Sequence, residues 1–261
     1  MSYTFLIIVS IISVFPLFWM VLSATNTSID VIRGKLTLGT SLVDNFNKLI
    51  EVSSIGQALW NSFRNAAALT VVSIIVCSLA GYAFEVYHDK LKDKVMRFIL
   101  LSMMVPFAAI MIPLFTWFGK MNLVNTTAGF MLPSISTAFL IFFFRQNTKS
   151  FPNEIIEAAR IDGLSEIQIF IRIYVPIMKP TYAAAITIIF MNSWNSYLWP
   201  LVILQAPSSQ TMPMLISNLI SGYTIDYGVL MLAVTISTLP TIIIFFALQK
   251  YFAAGITGAV K

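Results

Sequence analysis

The fold that this sequence predicts is an all-α membrane protein, a six-helix polytopic bundle. Three observations predict it. Hydrophobic residues make up 58% of the chain and charged ones 10%, with a mean hydropathy of +0.85, far from the balance of a soluble domain. Six apolar runs, 5–22, 66–84, 98–118, 128–144, 181–204 and 228–248, each approach the length of about 20 residues that a spanning helix needs. None of the six contains Asp, Glu, Lys or Arg, and none has the short alternating pattern of a barrel strand. The 261 residues hold these runs and their connections, so a single transmembrane domain over 1–261 is expected.

The first run has about 18 apolar residues and no basic residue before it, so it reads as a retained span rather than a cleaved leader. Cys77, in the second run, is the sole cysteine, which excludes an intrachain disulfide. Pro106 and Pro113 in the third run and Pro240 in the sixth predict kinks, either purely structural or used in gating. Met103, Met104 and Met111 read as adaptable packing. Between the fifth and sixth runs, Pro207, Pro213, Met214, Leu215, Leu219 and Ile220 predict a short helix at the membrane interface.

Six spans place both termini on one side, and the basic residues choose the cytoplasm. Eleven of the sixteen Lys and Arg residues fall on that side: Lys90, Lys92, Lys94 and Arg97; Arg145, Lys149, Arg160, Arg172 and Lys179; Lys250 and Lys261. The net charge of +5 is thus a topology signal, and nucleic acid is not an expected partner.

Catalytic chemistry is absent from the pattern. Gly34-Lys35 and Gly119-Lys120 are not followed by Ser or Thr, so no P-loop is available to hold ATP phosphates. No HExxH or CxxC occurs, and His88 stands alone in a loop, so neither metal nor cofactor is expected. An ion-coupled carrier or an oligomeric channel is the alternative class. Carriers keep costly charges inside their spans, and these runs have none, with Glu85 and Asp226 at span ends.

The segment 150–176 joins the fourth and fifth runs on the cytoplasmic side. Ser150 and Pro152 predict a helix start, with Ile155, Ile156 and Ala159 on one face and Glu154, Glu157 and Arg160 toward the other. Gly163 predicts its end. Ser165 with Gln168 has capping-box spacing, so a second helix follows, carrying Ile167, Phe170, Ile171 and Tyr174, and Pro176 is expected to close it by barring Val175 from helical geometry. Such an elbow is either an amphipathic pair on the membrane surface or a docking element in which Ala158 and Ala159 permit close approach and Glu157 offers a carboxylate to a partner's cation.

Glu157-Ala158-Ala159, Gly163, Ile173, Val175 and Pro176 resemble the EAA signature of the permease subunits of ATP-binding-cassette (ABC) importers, with Val175 where Leu is usual. Ser193-Trp194-Asn195, Leu198-Trp199-Pro200-Leu201 and the C-terminal Gln249 to Lys261 are similar to the carbohydrate-uptake, MalG-like branch. The resemblance implies a type I importer permease that performs no hydrolysis itself, with residues 150–176 as its coupling segment. It implies as partners a second, different permease, two ATP-binding-cassette ATPases and an extracytoplasmic solute-binding protein, with a sugar or oligosaccharide as cargo. It places the binding protein at the Gln205–Tyr227 loop and the tail from Lys250 against the ATPases. Polyamine and phosphonate importers share the docking signature and remain an alternative.

Asn192, Asn195 and Ser196 share one face of the fifth run, and amides on a lipid-length helix need partners. Two readings stand. They line the solute path, with Trp194 or Trp199 as a stacking surface, or they bond a neighbouring helix while the tryptophans anchor the membrane interface.

Overall fold

The computed structural model describes residues 2–222 and 224–258. Fifteen α-helices occur among them, and no strand. In chain order they are α1 (Ser2–Ala24), α2 (Ser28–Ile32), α3 (Leu42–Val52), α4 (Ile55–Val86), α5 (Lys90–Leu101), α6 (Phe107–Lys120), α7 (Thr127–Met131) and α8 (Ala138–Thr148). Then follow α9 (Asn153–Ile161), α10 (Glu166–Ile169), α11 (Val175–Ile177), α12 (Lys179–Trp194), α13 (Leu198–Ile203), α14 (Met212–Ile220) and α15 (Tyr227–Gly258).

Three helices are long and apolar enough to cross a membrane: Tyr3–Ala24, Ile55–Val86 and Tyr227–Tyr251. Three bent pairs, α5 with α6 (93°), α7 with α8 (53°) and the segment before α12 with α12 (83°), bring the number to six if each pair is one span.

Three of the expected continuous runs are broken, two of them at the first two of these bends and the third at 195–197. The 98–118 run divides because Pro106 pushes Val105 to an extended conformation (φ −80°, ψ 115°) and itself caps α6. The 128–144 run divides at a 3₁₀ turn, Leu132–Ser134, that contains Pro133; Thr137 then starts α8 by accepting the Leu140 N–H. The 181–204 run ends as a helix at Trp194, because a continuous helix would drive the Pro200 ring into the Ser196 carbonyl. Pro113 and Pro240 lie inside α6 and α15. Conversely, α4 begins eleven residues before the apolar run and at 32 residues is about 48 Å long, more than the bilayer's apolar thickness of about 30 Å.

The chain divides into two compact units. The first takes in residues 2–62 and 206–242 and is held by asparagines that bond backbone. Asn26 Nδ2 donates to the carbonyls of Leu22 and Thr37, Asn45 Nδ2 to those of Ala24 and Asn26, and Asn61 Nδ2 to those of Ser208 and Gln210. Asp226 is not merely solvated: it accepts the N–H groups of Gly228 and Val229 at the start of α15 and pairs with Lys48 at 3.2 Å. The expected helix in the 205–227 loop is α14, with Met214 and Leu215 buried in this unit.

The second unit, residues 63–205 and 243–258, contains the elbow and the 188–199 polar stretch. α4 and α8 approach closely at Gly81, where a Cβ would stand 2.4 Å from the Cβ of Phe144. The C-terminal resemblance extends over 259–261, which lie outside the described residues.

Candidate functional site

The elbow is built by local signals. α9 ends in a Schellman motif: Gly163 N–H donates to the Arg160 carbonyl and Leu164 N–H to that of Ala159, each at 3.1 Å, with Gly163 at φ +80°. Ser165 and Gln168 form the reciprocal capping box. Two details differ from expectation. Pro152, not Ser150, occupies the cap of α9, and the Ser150 hydroxyl bonds back to Asn147. Val175 is helical (φ −57°, ψ −47°), and the chain turns at Met178 instead. The reason is a π-helical turn, Phe170–Tyr174, in which Val175 N–H reaches back to the Phe170 carbonyl. The wider turn leaves room for the Pro176 ring beside carbonyls it would otherwise strike.

The elbow has its own core. Ile156, Ala159, Ile169 and Tyr174 are buried with Tyr82 of α4 and Phe151, and Tyr82 meets the Phe170 and Tyr174 rings at 5.2 and 4.7 Å. The Tyr174 hydroxyl lies 2.6 Å from Thr148 Oγ. Arg160 and Glu166 pair across the Gly163 turn at 2.7 Å, with the Arg160 guanidinium 5.8 Å from the centre of the Tyr87 ring. The Arg160 hydrogen bond, reinforced by one from Tyr87, holds the Glu166 carboxyl below its usual range.

Outward, the elbow is uncovered. Glu157 and Ala158 are exposed, and Glu157 has no ion pair or side-chain hydrogen bond among the described residues. Ile161, Ile167 and Ile171 are 86%, 71% and 58% exposed, so the elbow leaves apolar side chains uncovered as well as an unpaired carboxylate. Ala159 is buried in the elbow itself, Ile173 is half-buried and Pro176 is exposed. A shallow groove lined by Glu154, Ala158, Asp162 and Ile173 runs along this face.

A separate ionic cluster joins the ends of α4, α5 and α8. Arg145 of α8, its side chain 8% exposed, donates Nε to Glu85 at 3.1 Å and Nη2 to Asp93, and His88 Nε2 lies 3.2 Å from Asp93. Glu85, at a span end, and His88, alone in its loop, thus have partners. Only tertiary proximity could show the Arg145 contacts, since Arg145 is 52 residues from Asp93 and 60 from Glu85.

The polar residues of the fifth run do not act together. Asn192 and Ser196 line a cavity of about 140 Å³ with Ser193, Ser134, Thr137 and Trp199. Asn195 is exposed and bonds back to the Met191 carbonyl, and Trp194 is buried and stacked on Phe190. Trp199 is fixed by its indole N–H, which donates to the Gly129 and Phe130 carbonyls at 3.0 and 3.2 Å, and by the edges of Phe107 and Phe118. Ser134, Thr137 and Ser193 escaped the sequence reading, because a hydroxyl on a helix face has no spacing signature.

Among the described residues the chain is a helical membrane protein with an uncovered elbow and a partly polar cavity between its helices. Residues 73–258 match the family described as binding-protein-dependent transport system inner membrane component, and the chain belongs to that family. It is therefore the membrane component of an ABC importer, multi-pass and not itself catalytic.

The lactose transport system permease protein LacG of Rhizobium radiobacter is 47% identical, over 100% of this chain and 95% of its own length. The arabinooligosaccharides transport system permease protein AraQ of Bacillus subtilis (strain 168) is 35% identical over 98% and 94%. The sn-glycerol-3-phosphate transport system permease protein UgpE of Salmonella typhi is 31% identical over 100% and 96%. A chain of a bacterial ABC transporter involved in the import of the acidic polysaccharide alginate shares the fold, with a TM-score of 0.80, 22% identity and coverage of 96% and 95%.

Proposed function

We propose that this chain is one transmembrane half of a prokaryotic cytoplasmic-membrane importer for a neutral sugar or small oligosaccharide. The whole chain acts as one permease domain with six spans and both termini in the cytoplasm. It pairs with a second, different permease, engages two ATPases and receives its cargo from an extracytoplasmic binding protein at the 205–227 loop.

The observation that carries the coupling role is the elbow's outward face, with Glu157 unpaired beside exposed Ile161 and Ile167 on a turn fixed by Gly163. ATP-driven closure of the ATPases would move residues 150–176 as a unit. The elbow core, which includes Tyr82, would pass that movement to α4. Among the elbow residues, Glu157 and Ala158 touch the partner, Ala159 and Gly163 set the shape, and Ile173 and Pro176 set its exit.

The cargo assignment rests on likeness to the lactose and arabinooligosaccharide permeases and on one physical point. The lining of the Asn192–Ser196 cavity contains no Lys or Arg, which fits a neutral solute better than a phosphate. Likeness to the glycerol-phosphate permease supports the second reading, an importer of another small solute. The test is capture of the tagged chain from mild detergent, beside its Glu157→Lys variant. Recovery of a Walker-motif ATPase and a second permease, with the ATPase lost in the variant, is expected. A chain recovered alone, or an ATPase retained by the variant, would refute the docking assignment at Glu157.

A further inference from the structure

We infer that the cavity at the C-terminal end of α12 is a subsite of this subunit for a single neutral, pyranose-sized ring, read through the Ser193 hydroxyl. This rests on the sugar-import reading above and deepens it.

Size is the first argument. The cavity measures about 140 Å³, close to the roughly 150 Å³ of an apolar cavity that holds benzene, and it is open on one side. It has room for the ring atoms of one pyranose, with the exocyclic groups at its mouth, and not for an oligosaccharide.

Unspent hydrogen bonding is the second. Ser193 is 8% exposed, and its Oγ is buried with no partner, a state native proteins avoid unless something fills it. The Asn192 amide and the Ser134 and Ser196 hydroxyls also line the cavity and form no side-chain hydrogen bond among the described residues. Thr137 is already engaged, accepting the Leu140 N–H. Of these polar groups the Ser193 hydroxyl alone is buried without a partner, while Asn192 is exposed and Ser134 and Ser196 are half-buried at the cavity's rim.

The third argument is the wall. A pyranose presents hydroxyls at its rim and C–H groups on its faces, so it needs polar groups beside a flat apolar surface. Trp199 is part of the cavity's apolar lining, held in a fixed orientation by its N–H on two carbonyls and by the Phe107 and Phe118 rings, and so loses little freedom on binding. The helix breaks at Asn195–Tyr197, next to the cavity, and irregular backbone within a span is tolerated where it lines such a space.

The test uses the assembled importer in nanodiscs without its binding protein, with lactose and methyl β-galactoside as probes and saturation-transfer NMR as the readout. Removing one hydrogen bond with Ser193→Ala is expected to weaken probe binding about 3- to 10-fold. Asn192→Leu, which also fills space, is expected to abolish the transfer. The same Ser193→Ala complex should melt no lower than the parent, since the substitution removes an unpaired buried hydroxyl.

Unchanged binding in both variants would overturn the subsite and leave Ser193 as a water site. Absence of transfer in a parent complex that imports lactose would overturn it too, while sparing the sugar-import reading. A parent complex that imports no neutral sugar would overturn the reading beneath it.

Discussion

Replacement of Gly163 tests the elbow most directly, because the structure separates backbone from packing at this position. A Cβ there would meet nothing within 4 Å, so any cost of Gly163→Ala comes from the φ of +80° alone. Holding an L-residue in that region costs about 1–2 kcal/mol, equivalent to about 5- to 30-fold in the balance between the fixed elbow and a frayed one. Gly163→Asn should cost less, since Asn tolerates the left-handed region.

Gly163→Pro is different in kind. Its ring locks φ near −65° and removes the N–H that bonds Arg160, a bond worth about 0.5–1.5 kcal/mol, so the Schellman motif cannot form. The assay is co-purified ATPase per tagged chain, followed by sugar uptake in cells. Membrane accumulation should stay level, while capture falls in the order Gly, Asn, Ala, Pro and uptake vanishes in the last. Undiminished capture and uptake by Gly163→Pro would refute the docking role. An Ala variant worse than Pro would refute the backbone argument.

Gly81→Val should prevent stable accumulation, because its side chain would overlap Phe144 and the Arg145 backbone, and Gly81→Ala should lower the melting point through overpacking of about 1–3 kcal/mol; normal melting of the Val variant would disprove the contact. Arg145→Ala should destabilise by about 1–3 kcal/mol rather than more, since Glu85 and Asp93 retain 21% and 38% exposure and can be rehydrated. Arg145→Lys should fall between, as it loses the two-point fork; equal melting of all three would remove the cluster's role.

Asp89 caps α5, and its bonds to the Lys92 side chain and then to the Lys92 N–H hold its pKa below the ordinary 3.8. A depressed carboxylate contributes stability above its unfolded pKa and loses it as pH falls through the folded value. Hydrogen-exchange protection of the first turn of α5 should therefore hold from neutrality to about pH 4 and decline below it. Asp89→Asn should flatten that profile; an unaltered decline in the variant would assign it to another group.

Much of the elbow was legible because its signals are local. Gly163, the Ser165–Gln168 box and the Ile155–Ile156–Ala159 face each depend on neighbours within four residues, and each appears where the spacing put it. The exits were misread for the same reason. A proline rule applied to Val175 alone could not foresee that a π-helical turn would absorb Pro176 and move the bend to Met178.

The cavity at Asn192 and Ser196 was legible only in outline. Asn192 and Ser196 line the cavity as their shared face suggested, but Asn195 satisfies itself on Met191, and the aromatic wall is Trp199 while Trp194 packs on Phe190. Which tryptophan faces the cavity depends on the helix break that Pro200 imposes.

By itself the sequence determined that the chain belongs in a membrane, where its apolar runs lie, that it carries no ATP-binding loop and which residues shape the turn at Gly163. These follow from composition and from interactions within a helical turn or two, whose energetics do not depend on the rest of the fold. Tertiary structure decided which apolar runs bend into helix pairs. It decided that Arg145 would gather Glu85 and Asp93 from other helices, and that Ser134, Thr137 and Ser193 would converge on one cavity. The physical reason is distance along the chain. Groups dozens of residues apart meet only after helices pack, and the packing is set by side-chain shape, as at Gly81 against Phe144, which no spacing rule encodes.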